Sequence, residues 1–204
     1  MKKIILASNN AHKIEEIKKI LEGLPFEIKS LKDENINIDI EEDGNTFEEN
    51  AKKKASEIAN FLKNRGEKEF IVMADDSGLE VDYLNGEPGI YSARYAGEHG
   101  NDKKNNEKLL KELKGVPKEK RGAQFVCQIV LVNENDKYLS IRGEVRGRIL
   151  EELSGKEGFG YDPLFFYAPL NKTFGELSSE EKNSVSHRAC ALKELKNRIK
   201  EIIN

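Results

Sequence analysis

The segment Phe70-Ile71-Val72-Met73-Ala74 runs directly into Asp75-Asp76-Ser77-Gly78, and few other features constrain the fold as tightly. Five consecutive apolar residues read as a strand buried on both faces, and this strand delivers two adjacent carboxylates. The pattern predicts that the strand ends at Ala74, with the acids at its C-terminal edge, where open α/β sheets bind ligands. Side chains alternate along a strand, so neighbouring acids need not point the same way. One can hold a metal or activate a water while the other braces the loop. Hard divalent cations such as Mg2+ take carboxylate oxygens and usually bring substrate phosphates with them. The alternative is ordinary Asx-turn chemistry, for which Asp-Ser-Gly is well suited.

A chain of 204 residues suits one domain, or two tightly joined lobes. Charged residues make up 35% and apolar residues 37%, so the surface must be densely charged. The balance of 34 basic and 37 acidic residues leaves a net charge of −3, which gives no support to non-specific nucleic-acid or membrane-surface binding. Cys127 and Cys190 lie far apart and form neither a zinc motif nor a disulfide framework. The N-terminal apolar stretch is too short for a signal peptide, and nothing approaches a membrane span. These features read as a cytoplasmic protein.

Lys3 to Ala7 reads as a strand, Ala11 to Leu21 as a helix ended by Pro25, and Phe26 to Leu31 as a second strand. An acidic loop from Asp33 to Asn45 follows. Thr46 and Glu49 form a capping-box pattern opening a helix whose inward stripe is Phe47, Ala51, Ala55, Ile58, Ala59 and Leu62. Leu79 to Leu84 reads as a further strand ended by the Asn85-Gly86 turn, and Asn101 to Leu113 as a polar helix. Ala123 to Asn133 and Lys137 to Leu150 form a hairpin pattern. Ser178 and Glu181 cap a final helix with the stripe Val185, Ala189, Leu192, Leu195, Ile199 and Ile202. This order predicts an α/β fold: a mixed sheet flanked by helices.

Several segments carry groups suited to anions. Ser8-Asn9-Asn10-Ala11-His12-Lys13 links the first strand to the first helix, where unpaired N–H groups and a positive dipole end suit a phosphate. Simple capping by Ser8, Asn9 or Asn10 is the competing reading. Lys13 sits at the helix end that disfavours cations, so a nearby anion would account for it. Lys54 lies inside an apolar stripe, where it either snorkels or reaches a phosphate or carboxylate. Glu41 and Glu42 either join Asp75 and Asp76 at a metal or belong to a solvated loop. Gly158-Phe159-Gly160-Tyr161-Asp162-Pro163 presents two aromatics on a glycine turn able to stack on a base. Lys182, Ser186, His187 and Arg188 cluster near the start of the last helix. On that reading, Lys182 shares a face with Ser186, and Asn183 with His187.

These ordered segments, together with Pro88-Gly89-Ile90-Tyr91-Ser92-Ala93-Arg94-Tyr95 and Thr46-Phe47-x-x-Asn50-Ala51, resemble the noncanonical purine NTP pyrophosphatases over nearly the whole chain. This is the inosine/xanthosine triphosphate pyrophosphatase, or Ham1, family. The resemblance implies an elongated, two-lobed α/β fold around a long mixed sheet, with a nucleotide cleft between the lobes and residues 1–204 forming one such domain. It further implies a homodimer and Mg2+-dependent cleavage of ITP, dITP or XTP to the monophosphate and pyrophosphate, removing them from the nucleotide pool.

By the same resemblance, Asp76 would be the general base and a metal ligand. Glu41 or Glu42 would complete the metal site, with Asp75 in support. Ser8, Asn9, Asn10, Ala11, His12, Lys13 and Lys54 would hold the triphosphate. Ser77, Phe159, Gly160, Tyr161, Asp162, Lys182, His187 and Arg188 would bind the nucleotide, with His187 and Arg188 near the purine. Two other readings stand beside this one. A Maf-type house-cleaning pyrophosphatase is opposed by Ser186-His187-Arg188. A nucleotide sensor without turnover is opposed by the full acid set.

Overall fold

The computed structural model describes residues 2–203. The first half of the chain runs β1 (Lys3–Leu6), α1 (Ala11–Ile20), β2 (Glu27–Ser30), α2 (Phe47–Asn64) and β3 (Phe70–Val81). Then come α3 (Asp102–Glu112), β4 (Gly122–Asn133), β5 (Tyr138–Ile149), β6 (Phe165–Tyr167) and β7 (Lys172–Thr173). The chain closes with α4 (Ser179–Val185), α5 (His187–Arg198) and α6 (Lys200–Ile203). The strands form one seven-stranded sheet in the order β2-β1-β3-β4-β5-β6-β7. β1 runs parallel to β2 and β3, whereas β6 runs antiparallel to β5 and β7, so the sheet is mixed, as the pattern predicts.

The chain divides into two compact units, residues 1–76, 127–143 and 188–204 against residues 77–126 and 144–187. In the first, helices cover both faces of the strands. Ile4, Leu6, Ile71 and Met73 pack with Ile17 and Leu21 beside α1 and with Leu192 and Leu195 of α5. Ile5, Phe70, Val72 and Ala74 pack with Ala51, Ala55, Ile58 and Leu62 of α2. The strand period of two produces this division, and it explains why the run looks continuously apolar. Each such Ile or Leu contributes about 1.5–3 kcal/mol by leaving water. Thr46 Oγ1 caps α2 by accepting from Glu49 N at 3.1 Å. The Glu49 carboxylate accepts from Asn45 N at 2.7 Å, one residue before the position a full capping box would use. The second unit has its own core, with Leu79, Leu109, Phe125, Phe165 and Phe174 at its centre.

Two expectations are corrected. β3 does not end at Ala74 but continues through both acids to Val81, so Asp75-Asp76-Ser77-Gly78 is neither a turn nor a strand edge. The edge belongs to β1, which stops at Leu6 opposite Met73. The acids therefore lie just past the end of β1, on the strand that outlasts it. The separate strand from Leu79 merges into β3, and the Asn85-Gly86 turn stands, with φ of 54° and 93°.

The final helix is also not continuous. Ser178 and Glu181 form the predicted capping box, but Ser186 is extended (ψ 161°) and separates α4 from α5. Val185 consequently packs on the second unit's core, while Leu192 and Leu195 belong to the first unit's. The expected shared faces of Lys182 with Ser186 and Asn183 with His187 are lost at this break.

Two glycines separate packing from backbone strain. A Cβ at Gly155 would stand 1.9 Å from the Gly175 carbonyl oxygen, at φ +86°. At Gly66, φ is +78° and a Cβ would meet nothing within 4 Å. Gly155→Ala should cost about 3 kcal/mol, combining overpacking with left-handed strain. Gly66→Ala should cost about 1 kcal/mol. Urea denaturation of both variants checks the difference.

Candidate active site

The register that divides the core also divides the acids. Asp75 follows Ile71 and Met73 onto the face covered by α1 and α5, and Asp76 follows Val72 and Ala74 onto the face covered by α2. Asp75 accordingly meets cations from both helices of its face. Arg188 Nε donates to its Oδ2 at 3.0 Å, and Lys13 Nζ lies 2.5 Å from its Oδ1. Cys127 Sγ donates to Oδ2 at 3.0 Å, and Arg188 also binds Glu16. Asp75 and Arg188 side chains are each 1% exposed. Burial opposes ionisation of Asp75, but Arg188 and Lys13 prevail and hold its carboxyl well below the ordinary range. Burial likewise opposes the charge of Lys13, and Asp75 overcomes it and raises the amine.

Asp76 has a different surrounding. Asn50 Nδ2 donates to its Oδ2 at 3.0 Å, and Lys54 Nζ stands 3.8 Å from its Oδ1. Burial raises its carboxyl above the ordinary value, Glu42 adds to this, and Lys54 and Lys13 only partly offset it. Lys54 does not snorkel. It turns inward and donates to Glu42 Oε1 at 2.7 Å and to the Asp75 carbonyl at 2.8 Å. Asn50, 0% exposed, also accepts from Gly44 N at 2.8 Å, tying the acidic loop to Asp76. A Cβ at Gly44 would stand 2.7 Å from that Asn50 oxygen, so the close approach needs glycine. Glu42 is thereby drawn to the site, whereas Glu41 is exposed.

The loop before α1 is organised by its own polar groups. Asn10 caps the helix by accepting from Lys13 N, and Ser8 Oγ accepts from Asn10 N, both at 3.2 Å. Asn9, Ala11 and His12 are exposed. The anion that accounts for Lys13 at a helix start is Asp75.

The second unit gathers the aromatic and basic residues. Asp162 Oδ2 accepts from Phe159 N at 2.9 Å and from Lys182 Nζ at 2.7 Å. Lys182 Nζ also lies 4.5 Å from the Phe159 ring centroid. Tyr161 OH donates to the Ser92 carbonyl at 2.8 Å. Ser77, next on β3, is partly exposed. The His187 ring stacks on Phe125 at 4.8 Å and 17°. Arg188, one residue later, is wholly buried against Asp75 and Glu16.

Sequence reasoning passed over Asn50, Cys127 and Glu16 as site residues. Asn50 had a readable signal: it stands three residues after Phe47, on the buried side of α2. Glu16 and Cys127 offered none, because only the fold brings them to Arg188 and Asp75.

Asp75→Asn keeps the shape of the side chain and removes the charge that Arg188 faces. It should destabilise the fold by about 3–5 kcal/mol, the usual consequence of stranding a buried partner. The folded carboxyl lies below its unfolded value of about 3.9, so its contribution is complete above that pH and is lost as pH falls towards the folded value. Denaturation against pH should therefore show a steeper acid loss below about pH 4 in the unmodified chain than in Asp75→Asn.

The family model described as the Ham1 family matches residues 4–198. The chain is 62% identical over 203 residues, covering 100% of both chains, to a protein of Clostridium perfringens named dITP/XTP pyrophosphatase. A Bacillus subtilis protein of the same name is 47% identical over 96% of both. The solved structure of the Staphylococcus aureus Ham1 protein matches with a TM-score of 0.85 and 43% identity, covering 98% of this chain and 99% of that one. A family match over nearly the whole chain, full-length relatives at this identity and a solved structure of the same fold agree: this chain belongs to the Ham1 family.

Proposed function

We propose that this chain hydrolyses noncanonical purine nucleoside triphosphates, with dITP, XTP and ITP as substrates and the monophosphate and pyrophosphate as products. The observation that carries this reading is the split between Asp75 and Asp76. Adjacent carboxylates with environments that push them apart divide into a fixed charge and a proton acceptor. Asp76, raised by burial, is the acceptor. Relatives named dITP/XTP pyrophosphatase, matching over the full length, support the substrate class.

The donor set suits Mg2+. Among the described residues no group of three or more His, Cys, Asp or Glu forms a ready cage. Asp76 and Glu42 nonetheless offer hard oxygens on one side of α2, and Mg2+ needs only one or two carboxylates beside phosphate and water. When bound there it would neutralise phosphate charge. Asp76 takes the proton of the water that adds across the α–β anhydride, and the bridging P–O bond breaks to release pyrophosphate. Lys54 and Lys13 stand by Asp76 to meet phosphate charge. Lys182, Phe159 and His187 supply a cation and ring faces for the nucleoside and its 6-oxo purine. An adenine amino group would leave donors aimed at O6 unpaired. Arg188 serves by fixing Asp75. A homodimer belongs to this reading, and exposed Tyr83 and Tyr91 provide apolar surface for it.

The test is product analysis with dITP, XTP, ITP, GTP and ATP in Mg2+. Monophosphate plus pyrophosphate from the first three supports the reading. Orthophosphate would indicate another phosphohydrolase, and tight binding without turnover a sensor. Asp76→Asn should lower kcat by about 10²-fold or more while leaving the fold intact. Lys54→Ala should raise KM by about tenfold; an unchanged KM would leave Lys54 as a brace for Glu42 alone.

A further inference from the structure

The loop Gly158 to Asp162 is held from outside by one helix. α3 is polar, yet it buries Asn105 and Asn106 beside Leu109. Asn105 holds another segment, accepting from Ala96 N at 2.8 Å and donating to the Ala93 carbonyl at 3.3 Å. Asn106 Nδ2 donates to the Gly160 carbonyl at 2.9 Å. Asp102 Oδ2 accepts from Gly160 N at 2.7 Å. Residues i and i+4 on one helix face thus grip both polar groups of a single peptide residue. Asn101, not Asp102, caps α3, which leaves the Asp102 carboxylate to the loop.

The loop needs such a grip. Gly158 and Gly160 have φ of 75° and 63°, and free glycines sample many other conformations. Asp162 fixes the side of the loop that precedes Gly160: its Oδ2 accepts from Phe159 N at 2.9 Å, and a Cβ at Gly158 would stand 2.1 Å from the same oxygen. Gly160, between the two aromatics, has no such close neighbour. Asn106 Oδ1 is buried without a hydrogen-bond partner among the described residues.

We propose that Asp102 and Asn106 are positioning residues that fix Gly160, and through it the neighbouring Phe159 ring, in the orientation that receives the nucleotide. This rests on the functional reading above. The clamp is chemical, not steric. Position 106 must supply a donor and position 102 an acceptor. Asn106→Asp preserves shape but cannot donate as a carboxylate, whereas Asp102→Asn preserves an acceptor.

The experiment compares Asn106→Asp, Asn106→Leu, Asp102→Ala and Asp102→Asn with the unmodified chain. It measures amide exchange over residues 158–163, and KM and kcat for dITP. Asn106→Asp, Asn106→Leu and Asp102→Ala should speed loop exchange and raise KM about tenfold, with kcat within about threefold. Asp102→Asn should restore KM to within about threefold of the unmodified chain. Asn106→Leu removes the orphaned oxygen, so its urea midpoint should not fall along with its affinity. Unchanged exchange and KM in the Asn106 variants would overturn the clamp. Faster exchange with unchanged KM would overturn its role towards the nucleotide. Failure of the unmodified chain to hydrolyse dITP, XTP or ITP would overturn the functional reading itself, and the exchange comparison would still decide the clamp.

Discussion

A carboxylate buried in the middle of a strand is tolerable only when cations are brought to it. Isolated, the Asp75 charge would cost several kcal/mol and the group would neutralise instead. The fold answers from two helices far apart in sequence, with Lys13 on α1 and Arg188 on α5. Those contacts fix where both helices sit on their face of the sheet. They also make Arg188 one of the largest fully buried side chains in the protein. Cys127, from β4, adds a donor on the same oxygen as Arg188 Nε.

Asp76 becomes useful because Asp75 is satisfied. Two adjacent carboxylates on one face would share cations and blur their titration. Strand alternation sends them apart, so the charge on Asp75 is fixed while Asp76 meets the more weakly compensated side of α2. There Asn50 donates to it, Lys54 stays beyond hydrogen-bond distance, and the Glu42 carboxylate pushes its carboxyl further up. Asn50 links this chemistry to local backbone geometry, since it also receives the Gly44 N–H. One buried amide thus couples the acidic loop to the proposed base.

The second unit solves a different problem, that of holding flexible glycine backbone around aromatic rings. Asp162 binds the loop to Lys182, Tyr161 is anchored on Ser92, and α3 grips Gly160 from outside. His187 and Arg188 both open α5, where successive side chains point about 100° apart, so His187 stacks on Phe125 while Arg188 turns to Asp75.

The sequence by itself determined the helices with clear stripes, the hairpin, and the ordered motifs that mark the family. These signals are local: Thr46 and the α2 stripe, or Ser178 with Glu181, act within a few residues. It also located the acids, because two carboxylates after an apolar run have few structural uses. Only the tertiary structure decided that β3 runs through them, since the strand that stops is β1 and pairing between strands is not written in either one. It alone decided which acid is fixed and which is raised, because those environments come from residues as distant as Arg188 and Glu42. Lys54 stood open between snorkelling and reaching a carboxylate for the same reason: its partners lie in the loop before α2 and on β3. Local pattern specifies elements, whereas the charge state of a buried group depends on everything folded around it.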